Sequence, residues 1–225
     1  MGKDIAAVFN MFLDPAGAVE RIDSKWIWAF PLGLLAIVSA AFAWTIVPMT
    51  LHIVARNPPD GASREQMQQQ MAMMEKFSGI GVVIAPAMVV IITVLLAALL
   101  LVACQVVGIA GKFSQFFSLV SMASIVKVVG ALAAFAVIKL KGDDIQTMQD
   151  LNPPFGLDLL LPDGANKILY SVLNYFSVFQ IWFLVVIALG LAAFAKTSKG
   201  KAFLAITPIW IFPLLMAVVG SFFRR

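Results

Sequence analysis

Five long stretches of apolar residues, each more than 20 residues in length, dominate this sequence. They cover residues 26–54, 79–110, 113–138, 168–195 and 202–223. Inside a bilayer no water is available to the peptide groups, so an apolar run of about 20 residues crosses it as a helix that satisfies its own backbone. The sequence therefore predicts an all-α, polytopic membrane protein built as a bundle of five transmembrane helices.

The overall composition agrees with a lipid environment. Hydrophobic residues make up 61% of the chain, charged residues 12%, and the mean hydropathy is +0.96. Soluble domains average about 25% charged residues, and a soluble fold of this size could not hide so much apolar surface. The net charge of +4 is spread over termini and loops, which argues against nucleic acid as a partner. We predict one transmembrane domain over residues 26–225.

Residues 1–25 precede the first apolar run and form an amphipathic segment. Apolar side chains at helical spacing share one face, namely Ile5, Val8, Phe9, Phe12 and Leu13. Such a face lets a helix lie in the plane of the membrane interface. Asp14 followed by Pro15 is a favourable N-cap and first-position pair, so a second short helix is predicted to begin there. The segment has acidic residues and no unbroken apolar core, so it does not resemble a cleavable signal peptide.

The second apolar run, residues 79–110, is longer than the hydrocarbon layer requires. A layer of about 30 Å needs only about 20 residues at 1.5 Å each. Pro86 offers a break, which predicts a separate segment before Pro86 and a spanning helix that ends near Gly108. A strongly tilted continuous helix is the alternative.

The connection between the first and second runs carries a candidate partner-contact face. Ser63 and Gln66 form a capping-box pattern, which predicts a helix start. Met67, Met71 and Met74 follow at i, i+4, i+7 spacing and share one helical face. Flexible methionine side chains are typical of adaptable binding surfaces. The alternative is a helix that rests on lipid headgroups or on neighbouring helices.

No pattern in the sequence is typical of an enzyme. We find no serine nucleophile elbow, phosphate-binding loop, catalytic triad or paired zinc ligands. The only histidine, His52, and the only cysteine, Cys104, are far apart in the chain, and the aspartates between the third and fourth runs match no cation-ligand spacing. We predict a non-enzymatic protein with no cofactor and no metal.

Lys127 is the one charged residue well inside an apolar run. At that depth an ionisable group costs roughly 3 kcal/mol or more unless it is neutral, paired or hydrated, which makes it a candidate functional residue. No acid lies within any predicted span, so partners must come from backbone carbonyls, water, an anionic lipid headgroup or polar side chains. The candidate polar side chains within the spans are Gln105, Asn174, Tyr175 and Gln180. Lys127 either faces a polar pocket that binds a lipid phosphate or a partner's carboxylate, or it only supports packing.

Several short motifs, in their order along the chain, resemble the YIP (Ypt-interacting protein) domain family of five-helix membrane proteins, in its short bacterial branch. They are Pro15 with Val19-Glu20-Arg21-Ile22; Trp28 with Pro31-Leu32; Gly111-Lys112-Phe113 with Phe117-Ser118-Leu119; Asn152-Pro153-Pro154-Phe155-Gly156; Phe179-Gln180-Ile181-Trp182 with Gly190-Leu191; and Ser198-Lys199-Gly200-Lys201-Ala202. The resemblance implies a bacterial inner-membrane protein with a cytoplasmic N-terminus. The basic turn at residues 196–201 favours the same orientation, because short loops rich in lysine stay in the cytoplasm.

The resemblance also bears on function. Eukaryotic relatives act in vesicle traffic with Rab-type GTPases and carry a long N-terminal region and an Asp-Leu-Tyr-Gly-Pro signature; this chain has neither, so Rab binding is not carried over. Bacterial relatives include accessory partners of ABC-type exporters. We therefore predict a membrane adaptor that packs against other membrane proteins, such as an exporter, or against itself.

Two rival functions remain open at the level of sequence. A small transporter or lipid-handling protein would need a continuous cleft from Lys127 to one membrane face, lined by Asn174, Tyr175 or Gln180. A membrane-shaping protein would instead use the amphipathic N-terminal segment.

Overall fold

The computed structural model describes residues 2–56, 63–148, 150–162 and 166–223. Nine α-helices occupy these ranges: α1 Gly2–Asn10, α2 Pro15–Ala18, α3 Ala29–Arg56, α4 Arg64–Val106, α5 Phe113–Ala123, α6 Ile125–Lys141, α7 Lys167–Tyr175, α8 Val178–Phe194 and α9 Lys199–Phe223. Within the described ranges there is no β-strand, and the only β-type pairing is an isolated antiparallel bridge between Gly156 and Ser177. The predicted all-α class is confirmed.

Four helical segments in the described chain are long and apolar enough to cross a membrane: Ala29–Arg56, Gly79–Val106, Phe113–Lys141 and Lys199–Gly220. A fifth apolar helix, α8, has 17 residues, which corresponds to about 26 Å. The chain is therefore a multi-pass integral membrane protein with four long apolar helices and one shorter one.

The second apolar run belongs to a helix that does not break at Pro86. α4 continues from Arg64 to Val106 over 43 residues with Pro86 in its interior, so the predicted break is wrong and the continuous alternative is right. A proline removes one backbone hydrogen bond, but a complete break in lipid would leave further peptide groups without partners. The helix starts with the predicted capping box, in which Gln66 N donates to Ser63 Oγ and Ser63 N donates to Gln66 Oε1.

The fourth apolar run, by contrast, is two helices rather than the predicted single span over residues 168–195. Phe176 leaves the helical conformation (φ −82°, ψ 58°), and Ser177 is extended (φ −76°, ψ 154°). Ser177 Oγ accepts from Gln180 N at 3.1 Å and so caps the start of α8. Val178 N donates to the carbonyl of Phe155 at 2.9 Å. The break is possible because the hydroxyl of Ser177 and the carbonyl of Phe155, in the loop before α7, accept hydrogen bonds from the first N–H groups of α8.

α5, α6 and α8 lie at the centre of the bundle, with α3, α4 and α9 around them. α5 and α6 are separated by a single turn at Ser124, whose hydroxyl donates to the carbonyl of Ser121 at 2.6 Å. The largest fully buried side chains come mainly from these central helices, and they include Phe116, Leu119, Met122, Phe183, Ile187 and Leu191. The outer helices expose apolar side chains, as expected for surfaces that contact lipid.

The N-terminal segment packs along α8 instead of only resting at the interface. Val8 and Met11 are fully buried in the core, whereas Leu13 on the predicted apolar face is 82% exposed. Trp182 Nε1 on α8 donates to the carbonyl of Phe12 at 3.0 Å. One edge of the amphipathic face is therefore covered by protein, and the side chains at the other edge are exposed.

Two polar contacts hold this segment in shape. Asp14 caps α2 as predicted, since its Oδ1 accepts from Gly17 N at 3.1 Å. Asp4 pairs with Arg21, with 2.6 Å between Arg21 Nη2 and Asp4 Oδ1. The hydrogen bond from Arg21 holds the pKa of the Asp4 carboxyl below its usual value, so the pair stays ionised in neutral solution.

Candidate functional site

Lys127 lies on α6, close to the midpoint of the apolar segment Phe113–Lys141. Its side chain is half-buried, and Nζ lies 4.1 Å from the centroid of the Phe183 ring on α8. That distance is typical of a cation–π contact, worth about 0.5–2 kcal/mol. Within the described ranges no carboxylate pairs with Lys127 and no side chain or carbonyl hydrogen-bonds to it. The ammonium group therefore has an aromatic neighbour but no counter-charge from the described chain.

Lys127 opens onto a cleft of about 470 Å³. This volume falls in the range of pockets for small molecules, about 300–1,000 Å³. The cleft is formed by α3, α6, the loop before α7, and the junction of α7 with α8; its lining residues are Phe42, Lys127, Gly130, Ala131, Ala134, Asn152, Pro153, Phe155, Gly156, Asn174, Ser177, Phe179 and Gln180.

The α6 wall of the cleft consists of Lys127 and of small residues that follow it along the helix. Lys127, Gly130, Ala131 and Ala134 follow at i, i+3, i+4, i+7 spacing, which places them on one helical face. A Cβ atom at Gly130 would lie 2.9 Å from Cγ of Phe179. Glycine at this position therefore lets α8 approach α6 closely, and the alanines leave space for the cleft.

The opposite wall begins with the loop at residues 152–156. Its backbone is tied to the start of α8 by the Gly156–Ser177 bridge and by the bond from Val178 N to the carbonyl of Phe155. The rings of Phe155 and Phe179 also meet edge to face, with 5.2 Å between centroids. These contacts hold Asn152 at the exposed rim of the cleft.

The N-terminal end of α8 completes that wall. A helix N-terminus carries a partial positive charge, and Ser177 and Gln180 from this end line the cleft. Gln180 Nε2 donates to the hydroxyl of Tyr175 at 3.2 Å, which orients the amide. Phe183 is five residues beyond the start of α8, or about 8 Å along the helix axis. Lys127, although central in its own segment, is thus close to a polar helix terminus.

The structure brings together most of the polar residues that the sequence placed around Lys127. Asn174 and Gln180 line the same cleft as Lys127. Tyr175 does not line the cleft, but its hydroxyl accepts a hydrogen bond from the Gln180 amide. Gln105 does not belong to this group: its side chain is exposed near the C-terminal end of α4 and does not line the cleft. The sequence grouped Gln105 with Lys127 because both are polar residues within apolar runs, and that shared property does not specify which residues are neighbours.

Sequence reasoning missed Asn152 and Ser177 as site residues. Both lie in positions that the sequence assigned otherwise, Asn152 to a turn outside the membrane and Ser177 to the interior of a helix. The available signal was the Asn152-Pro153-Pro154 turn, but nothing in it indicates that the loop folds back against α8.

The predicted methionine face lies on the part of α4 before its spanning segment. Met67, Met71 and Met74 are half-buried, while their neighbours Met73 and Phe77 are 62% and 53% exposed. The three methionines are therefore partly covered by the protein itself, and the more exposed apolar surface of this segment lies on another side of the helix.

The chemistry of the cleft favours an anionic group. Lys127 supplies the only formal charge among its described lining residues, and Asn152, Asn174 and Gln180 supply amide groups. Asn152 and Gln180 each donate one N–H to a tyrosine hydroxyl, of Tyr170 and Tyr175, and each keeps a second N–H as a donor. In the described ranges no three His, Cys, Asp or Glu side chains are placed to hold a metal ion. The arrangement can bind and orient a negatively charged group.

Comparison with protein-family models finds a match to the family described as Yip1 domain, over residues 9–221. The match covers nearly the whole chain. Searches of the curated proteins and of the solved structures return no match.

Proposed function

Because this chain belongs to the Yip1 domain family, a family of membrane proteins, we propose that it is a non-enzymatic, five-span membrane protein whose cleft binds an anionic group. The observation that carries this proposal is Lys127, a lysine without a counter-charge among the described residues, in a cleft whose described lining contains no carboxylate. The family assignment agrees with the resemblance found in the sequence.

The fifth span in this proposal is α8. Its 17 residues are apolar except for Gln180 near the N-terminal end, and their length of about 26 Å is a few ångströms shorter than an average hydrocarbon layer. The loop at residues 152–156 packs against the N-terminal end of this helix. Local thinning of the bilayer beside this polar cleft makes a short span energetically acceptable.

Labelling of single cysteines with a membrane-impermeant maleimide tests the five-span arrangement. Cysteine would replace Lys3, Asp144 or Lys199 in turn, all exposed residues, in a Cys104→Ala background. We expect the Lys3 and Lys199 positions to react from the cytoplasmic side and the Asp144 position from the opposite side. If the Lys199 position reacts together with Asp144, α8 does not cross and the chain has four spans.

Binding of an anion at Lys127 has a clear physical reason. A charged side chain inside a membrane is stabilised when it is paired, and the cation–π contact alone does not neutralise its charge. An anionic group in the cleft would supply the counter-charge and accept hydrogen bonds from the amides around it. Removal of the ammonium group should therefore remove most of the affinity.

The test is binding of dodecyl phosphate and dodecanoate to the purified protein in neutral maltoside micelles. For Lys127→Met we expect at least a tenfold weaker affinity, which corresponds to about 1.4 kcal/mol. Lys139→Met is the matched control, since Lys139 is an exposed lysine on the same helix, with Nζ 5.5 Å from the Phe135 ring, and lies outside the cleft.

Lys127→Arg serves as a second variant that keeps the positive charge, and it should retain binding. Circular dichroism and gel filtration would show that each variant is folded. Equal binding of both anions by the wild type and Lys127→Met would contradict the proposal.

An accessory role beside another membrane protein is a second proposal, supported by α4. About 15 residues of this helix precede its spanning segment Gly79–Val106, or about 22 Å of helix, and they expose Met73 and Phe77. Such a surface fits docking to a neighbouring protein. If membrane particles extracted without detergent contain this chain alone, the accessory role is wrong.

A further inference from the structure

We propose that the anion bound at Lys127 is the phosphate of a membrane phospholipid, whose glycerol and headgroup lie in the cleft while an acyl chain lies against α3 and α6. This inference rests on the anion site proposed above and names its ligand class.

The uncharged polar side chains of the cleft lining all come from one side. That side, formed by the loop, α7 and α8, carries Asn152, Asn174, Ser177 and Gln180 among the apolar residues Pro153, Phe155 and Phe179, and we call it the polar side. Phe42, Gly130, Ala131 and Ala134, from α3 and α6, form the apolar side. Lys127 projects from the apolar side and carries the charge. A ligand that satisfies both sides has an anionic polar part joined to a hydrocarbon part.

The apolar side of the cleft is accessible from the lipid. Phe42 and Ala131 are half-buried rather than enclosed, so part of this side is open at the surface of the helix bundle. A lipid in the surrounding leaflet can therefore place its headgroup in the cleft without withdrawing its acyl chains from the bilayer. The hydrocarbon contact costs little, because the chain keeps apolar neighbours throughout.

The polar side provides a route for the headgroup. Asn152 lies at the exposed rim, and Lys127 is near Phe183, about 8 Å along the axis from the start of α8. Asn174 and Gln180 add amide groups to the lining of the same cleft. A phosphate that moves from the membrane surface to Lys127 would exchange water for these donors. The α8 terminus adds only its partial positive charge, because the N–H groups of Val178 and Gln180 are already bonded to Phe155 and Ser177.

A carboxylate on a partner's transmembrane helix fits this site less well. An aspartate placed at the centre of a spanning helix costs roughly 2.5–3.5 kcal/mol on insertion, whereas a lipid headgroup already lies at the membrane surface. The cleft also spreads its donors over three amides and one ammonium group. Several donors on separate elements suit a phosphate with its ester and hydroxyl oxygens better than a single planar carboxylate.

Native mass spectrometry of the full chain in neutral maltoside micelles tests the lipid assignment with four probes. They are dioleoyl phosphatidylglycerol, dioleoylglycerol with the same chains but no phosphate, glycerol 3-phosphate with no chains, and oleate with a carboxylate. We expect saturable binding of phosphatidylglycerol, at least tenfold tighter than that of the other three. That binding should fall at least tenfold in Lys127→Met, and it should persist in Lys139→Met and in Lys127→Arg.

The outcomes distinguish a failure of the lipid assignment from a failure of the anion site on which it rests. If oleate or glycerol 3-phosphate binds as tightly as phosphatidylglycerol and requires Lys127, the anion site stands and the phospholipid assignment is wrong. If dioleoylglycerol binds equally well, the cleft recognises chains and not phosphate, and the lipid assignment is again wrong. If none of the anions binds in a manner that depends on a positive charge at residue 127, both proposals fail.

Discussion

Replacement of Phe183 by alanine should lower the free energy of unfolding by about 3–5 kcal/mol. Phe183 is 1% exposed and lies among the buried side chains of the central helices. Its removal leaves a cavity between α6 and α8 and also removes the ring that Lys127 Nζ contacts at 4.1 Å. Because loss of packing and loss of the cation–π contact act in the same direction, this should be one of the most damaging single truncations in the chain.

Equilibrium unfolding in mixed micelles, with sodium dodecyl sulfate as the denaturant, would measure this difference. Phe212→Ala is the matched control, since Phe212 is 58% exposed on α9 and its loss opens no internal cavity. We expect the control to change the stability by less than about 1 kcal/mol. Equal losses in the two variants would mean that α6 and α8 are not packed around Phe183.

Replacement of Gly190 by leucine should detach the N-terminal segment from α8. A Cβ atom at Gly190 would lie 2.7 Å from Cδ1 of Leu119, 2.9 Å from Cε of Met11 and 3.2 Å from Cγ1 of Val19. Leu119 is fixed inside the bundle, so Met11 and Val19 must move away. Overpacking of this kind typically costs about 1–3 kcal/mol. We expect the segment of residues 2–22, which carries Met11 and Val19, to be displaced from α8.

Hydrogen exchange of the backbone amides would detect this change. In Gly190→Leu we expect faster exchange over residues 2–22, while the amides of α5 and α8 stay protected. Gly33→Leu is the control, because a Cβ at Gly33 would have open space around it, and it should leave exchange in residues 2–22 unchanged. Undisturbed protection in Gly190→Leu would show that the segment does not depend on its contact with α8.

Much of the fold follows from local properties of the chain. The apolar runs correspond to α3, the later part of α4, α5 with α6, and α9, because the length of an apolar run decides whether it can cross lipid. The caps at Asp14 and Ser63 were also predicted correctly, since a capping bond joins residues only three positions apart. Such features depend on neighbours in sequence and need no knowledge of the packing.

The candidate site could be predicted only in part. Lys127 stood out because a charge in an apolar run is costly wherever the helix lies. Asn174 and Gln180 were sound candidates for the same reason, but Gln105 met the same criterion and lies elsewhere. Polarity within a span shows that a residue needs a partner. It does not show which helix provides that partner.

Hydropathy and short-range caps were thus enough to establish a helical membrane protein, the approximate positions of its spans and the one lysine that needs an explanation. The break at Phe176 and Ser177, the continuity of α4 through Pro86 and the cleft itself depend on packing between distant parts of the chain. The loop at residues 152–156 supplies the backbone partners that let α8 begin where it does, and Gly130 lets α8 approach α6. These contacts join residues about 20 to 50 positions apart, so their energies exist only once the helices have assembled.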